Sequence, residues 1–124
     1  MTFKELYTAL SSIPMSANES IPCAYYQFPE DDPAHPAPTP PFIVYYTDGS
    51  DDMIADGKNY KKIRPVTVEL YTSYKDFALE GTVEAALNNA GLVFSRSETY
   101  IQSERLYMVA YDSEIVLTEE LPNG

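Results

Sequence analysis

VTVELYTSYKDFALEGTVEAALNNAG, residues 66–91, carries the two most regular elements of the chain side by side. Val66, Val68 and Leu70 alternate with Thr67, Glu69 and Tyr71, a period of two that gives a strand over 66–72 one apolar and one wetter face. Leu79, Val83, Leu87 and Ala90 then recur at three- and four-residue intervals, with Ala86 beside them, as the buried stripe of a helix does. Ser73 and Asp76 have capping-box spacing, and Gly91 is placed to end the helix in the left-handed conformation. Asp76, Glu80 and Glu84 follow at four-residue intervals on another face, which predicts an acidic ridge toward solvent. Gly81 sits mid-helix at a cost of about 0.5–1 kcal/mol against alanine.

Working outward, the first residues also read as a helix. Thr2 and Glu5 have capping-box spacing, Phe3, Leu6, Leu10 and Ile13 form an apolar stripe, and Pro14 ends it. Residues 23–28 are a short, tyrosine-rich strand, and 42–47 a second strand of β-branched and aromatic residues. Between them, 29–41 hold six of the ten prolines together with Glu30, Asp31 and Asp32, an exposed loop of polyproline character. Residues 92–94 open a strand that runs on towards Tyr100, and 106–117 form the last one. The order α-β-β-β-α-β-β predicts one α+β domain over 1–124, a mainly antiparallel sheet with two helices packed on one face.

The connection from 48 to 64, DGSDDMIADGKNYKKIR, is too polar for a core yet joins two apolar strands. It sets Asp48, Asp51, Asp52 and Asp56 ahead of Lys58, Lys61, Lys62 and Arg64, half of the chain's eight cations. Asp56-Gly57 is a two-residue turn signal, so 53–55 and 58–60 are expected to pair as a hairpin. Such an exposed arm, acidic on one limb and basic on the other, suits contact with a complementary patch on another copy or another protein.

Composition narrows the function classes. With 44% hydrophobic residues the chain can bury a real core without a staple, and its one cysteine, Cys23, has no internal disulfide partner. No leader is expected at the N-terminus, and the apolar runs are far too short to span a membrane. The net charge of −11 is spread unevenly: −4 over 1–47, zero over the arm and −7 over 65–124. That balance argues against a grip on a phosphate backbone; it suits plain solubility, or a surface that touches DNA without holding it.

The inventory for catalysis is thin. His35, the one histidine, sits among prolines with no group to orient it, so a small hydrolase built on it is a poor reading. No phosphate cradle, nucleophile elbow or zinc spacing is present, and the four arm aspartates lack the alternate-position ligands and closing glutamate of a calcium loop. The chain is therefore read as a non-enzyme with no cofactor and no metal. Eleven tyrosines include the adjacent pairs Tyr25-Tyr26 and Tyr45-Tyr46, so one ring of each pair must face away from the core. Outward tyrosines leave open a carbohydrate- or peptide-binding module.

Two stretches carry a family likeness: FIVYYTDGSDDMIADGKNYKKIRPVTVELYTSYKDFALEGTVEAALNNAGLVF, and SETYIQSERLYMVAYDSEI after it. With ADGKNYKKIR leading into VTVELYT, a capped helix closed by AGL and a tyrosine-rich last strand, the chain resembles the tail-terminator (tail-completion, or neck) proteins of long-tailed phages and prophages. The resemblance implies a virion protein made in the bacterial host cytoplasm, forming a hexameric ring that ends the tail tube and joins it to the head-side connector. Its partners are then other copies of itself, the tail-tube protein and the connector, with DNA passing through unbound and no membrane involved. The nominated interface residues are Lys58, Tyr60, Lys61, Lys62 and Arg64, with Asp48, Asp51, Asp52 and Asp56 at the interface or the lumen. A head-closure or adaptor ring is the alternative within the same biology.

Overall fold

The computed structural model describes residues 1–16, 18–28 and 38–118, with the backbone alone at 59 and 60. Its elements are α1 (Phe3–Ser11), β1 (Pro14–Ser16), β2 (Glu19–Ser20), β3 (Cys23–Tyr25), β4 (Phe42–Tyr46), β5 (Met53–Ala55), β6 (Lys58–Lys61), β7 (Ile63–Thr72), α2 (Phe77–Asn89), β8 (Ser95–Ile101) and β9 (Leu106–Val116). Five strands make one sheet in the order β3-β4-β7-β9-β8, antiparallel except for the β3–β4 pair. Two small hairpins, β1–β2 and β5–β6, stand outside it. With these set aside, the order is the expected α-β-β-β-α-β-β, and both helices cover one face of the sheet.

The alternation in β7 decides which face is covered. Val66, Val68, Leu70 and Thr72 are buried, and the register sets Ile43 and Tyr45 of β4 and Val109 and Tyr111 of β9 beside them. Leu6, Leu10, Val83 and Leu87 of the helices complete that core. Burying a side chain of this kind fully is worth about 1.5–3 kcal/mol, which holds two short helices on the sheet without any crosslink. Of the adjacent tyrosines, Tyr45 points inward, whereas Tyr46 stands on the other face and stacks on Tyr26 at 5.4 Å. Among the described residues that other face carries no helix.

The capping box of α1 forms as expected: the Thr2 side chain accepts from the Glu5 N–H, and Glu5 accepts from the Thr2 N–H, each at 3.0 Å. In α2 the cap is Asp76, not Ser73, because Asp76 Oδ1 accepts the Leu79 N–H at 3.0 Å and the helix begins at Phe77. Gly91 closes α2 at φ +86°, with the Leu92 N–H donating to the Leu87 carbonyl at 2.9 Å. The first strand stops at Tyr25 rather than 28, since Tyr26 turns to φ +67°. The β1–β2 hairpin had no signal in the sequence. The proline-rich loop expected at 29–41 lies mostly outside the described residues, as does His35.

The acidic ridge does not face solvent. Glu80 is 3% exposed, held by Lys75 at 2.6 Å and by Arg96 of β8. Glu84 accepts from the Tyr111 hydroxyl at 2.9 Å, and Glu98 pairs with both Lys75 and Arg96. Helical spacing alone could not reveal this, because Arg96 and Glu98 come from a strand pointing back at α2. The Lys75 contact holds Glu98 below the ordinary carboxylate value of 4.5. Burial alone would lower Lys75, but Glu80 and Glu98 outweigh it and keep the ammonium above its usual range.

Removing Glu80 takes from Lys75 and Arg96 their most buried partner, so Glu80→Ala should cost about 1–3 kcal/mol, less than for a fully buried pair because both cations keep Glu98 and some solvent contact. Glu98 has a depressed folded value, so the stability it adds is present above its unfolded value and is lost as the pH falls through the folded one. Urea denaturation of the native chain and Glu98→Gln should therefore show a gap at about pH 7 that narrows by about pH 3. A gap of the same size at both would contradict this role.

Candidate functional site

The β5–β6 hairpin projects from the end of the sheet where β4 leaves and β7 begins. Its tip is the expected turn: Asp56 at φ +52° and Gly57 at φ +72° are both left-handed, the geometry a two-residue hairpin loop requires. Its root is clamped. The Asp51 N–H donates to the Ile63 carbonyl and the Ile63 N–H donates to Asp52 Oδ1, both at 2.9 Å. The Arg64 guanidinium pairs with that same Asp52 carboxylate and donates to the Ile63 carbonyl at 3.2 Å.

The nominated residues thus divide. Asp52 and Arg64 hold the arm to its own sheet, with side chains 6% and 22% exposed. Lys62 is half-buried, and its carbonyl accepts from the Leu117 N–H at 2.7 Å. Asp48, Asp51, Asp56, Lys58 and Lys61 are exposed. Tyr60 contributes its backbone to β6, and its side chain lies outside the described residues.

The pairing in the arm has one irregularity with a clear effect. Met53 is opposite Lys61, Ile54 opposite Asn59 and Ala55 opposite Lys58, so β6 carries one extra residue. Lys58 and Lys61 would point to opposite faces of a regular strand. The bulge brings both to the face of Met53 and Ala55. The arm is also more apolar than its charge implies: Met53 is 51% exposed and Ile54 72%. Among the described residues neither is covered. The sequence shows both residues, but only the projecting geometry shows that they are uncovered.

Two further groupings stand elsewhere. On the helix-free face, Tyr46 and Tyr71 donate to the two Glu69 carboxylate oxygens at 3.2 and 2.8 Å. Tyr26 stacks on Tyr46, and Phe42 stacks on Tyr71 at 5.0 Å. Burial, then the Glu69 contact, pushes the Tyr71 phenol far above its ordinary value. A cleft of about 290 Å³ lies by α1, lined by Phe3, Tyr25, Tyr45 and Thr47. Burial pushes the Cys23 thiol up to about 11, which makes it a poor nucleophile. Among the described residues, no three His, Cys, Asp or Glu side chains are placed to share a metal ion, and no helix is long and apolar enough to cross a membrane.

No family model matches the chain, and no curated protein is significantly similar to it in sequence. The arm's own geometry therefore carries the functional argument.

Asp52→Ala removes the acceptor for both the Ile63 N–H and Arg64, and should cost about 1–3 kcal/mol. Hydrogen exchange should quicken across 51–63 and stay unchanged at 106–116. Quickening that spread evenly over the sheet would show that Asp52 is no local clamp.

Proposed function

We propose that this chain is a structural subunit that acts by self-association and docking, as the ring that ends a phage tail tube and joins it to the head-side connector. What supports assembly is one observation: a hairpin held firmly at its root carries exposed Met53 on one face with Lys58 and Lys61, and exposed Ile54 on the other. Exposed apolar side chains next to charge are the composition of a surface that meets protein. A rigid root spares part of the entropy that ordering a loose loop on binding would cost.

The tail-terminator role rests on the resemblance in 42–94 and 97–115, and the excess of acid elsewhere agrees with it. A chain of net charge −11 leaves DNA free to slide through a ring lumen. The tail-tube protein and the connector are the partners proposed on the two faces of such a ring, with a head-closure or adaptor ring as the neighbouring alternative.

A second reading is favoured by the helix-free face, where aromatic rings surround Glu69. Rings with a carboxylate between them are suited to a sugar or to a peptide with a basic side chain. Saturable binding by the monomer, lost in Tyr46→Ala, would support it. A glycan and peptide screen without hits would remove it.

Lys58→Glu with Lys61→Glu reverses the arm's basic face while leaving the root and the tip intact. The doubly substituted chain should keep its melting temperature and lose at least tenfold in self-association, or in capping of polymerised tube protein. Unchanged assembly would take the arm out of the mechanism.

A further inference from the structure

The sheet has two edges, and they differ. β3 is three residues long, and the chain leaves it at once through Tyr26 at φ +67°, so that edge is blunted. β8 runs for seven residues in unbroken register with β9, without proline or bulge, and no strand of the described residues lies on its outer side. Such an edge presents a row of unpaired N–H and C=O groups and is a template for one more strand.

The hairpin has the complementary need. Two strands alone are marginal in water and require a third strand or a packing surface. Among the described residues the β5–β6 sheet has no third strand, since its register joins only β5 to β6. Charge matches as well. Glu98 on β8 is already held by Lys75 and Arg96, whereas Asp112 is exposed one strand in on the opposite face, paired with Ser95. The charge match therefore turns the Lys58–Lys61 face to the Ser95–Ser97 side of the edge, toward Asp112.

We infer that the β5–β6 hairpin of one copy adds to the β8 edge of the next, continuing its sheet. The contact is heterologous, because an arm meets an edge, so each subunit gives one and receives one. Repetition closes into a ring when the rotation allows and runs into a filament otherwise. This inference rests on the self-association proposed above and names the surface that receives the arm.

Hydrogen exchange of the native full-length chain, followed by mass spectrometry in dilute and concentrated samples, with and without polymerised tail-tube protein, tests it. Strand addition should slow exchange at least tenfold in 95–101 and in 53–61 together, in step with the rise in native mass. Ser97→Lys with Thr99→Lys puts two cations on the open edge without touching the Lys75–Glu80–Arg96 cluster. That variant should keep the monomer's melting temperature and lose at least tenfold in assembly. Assembly with unaltered exchange in 95–101, or normal assembly of the variant, overturns the edge contact and leaves self-association standing. A native chain that stays monomeric in every condition overturns both.

Discussion

Strand β7 is hydrogen-bonded along both sides, to β4 over Phe42–Tyr46 and to β9 over its full ten residues. This central strand constrains the rest of the molecule. Its buried side carries Val66, Val68 and Leu70, on which the α1 and α2 residues pack. Its first two residues, Ile63 and Arg64, also receive the Asp52 carboxylate that clamps the arm. The residues that order the core and the residues that aim the arm are therefore consecutive in one strand. Slipping β7 by one residue would turn its apolar side outward and release the arm at once. Stability and presentation of the hairpin are coupled through that register.

Much of this was legible because the local signals agreed with one another. Alternation over 66–72, the stripe from Leu79 to Ala90, the Thr2–Glu5 box and the Asp56-Gly57 turn each depend on neighbours within a few residues, and each forms. What the sequence hid depends on distant partners. Glu80 has the spacing of a solvated residue, yet Arg96, sixteen positions on, reaches it from a strand. Ser73 and Asp76 have the spacing of one capping box, but the helix starts three residues later and Asp76 itself caps it by accepting the Leu79 N–H. In the arm, equal weight fell on eight charges, whereas Asp52 and Arg64 neutralise each other at the root. The bulge that turns Lys58 and Lys61 to one face is a property of pairing, which no single strand records.

The charge distribution has two physical roles in this molecule. Between α2 and β8 it is paired within the chain: two cations, Lys75 and Arg96, bridge three carboxylates, Glu80, Glu84 and Glu98, and join helix to sheet. On the arm it is outward, with Lys58 and Lys61 presented beside exposed Met53 and with exposed Ile54 on the opposite face. The first arrangement stabilises the subunit. The second leaves basic and apolar side chains open to solvent on a chain that is otherwise strongly acidic, the feature on which the proposed self-association rests. Specific association through one projecting element is what that contrast favours.

Native mass spectrometry over a concentration series, repeated with polymerised tail-tube protein and followed by electron microscopy of any large species, is the most direct test of assembly through the arm. A closed ring of identical subunits, six by the resemblance, is the predicted result, whether formed freely or only on the tube end. A chain that stays monomeric at every concentration and ignores the tube would contradict the assembly role outright.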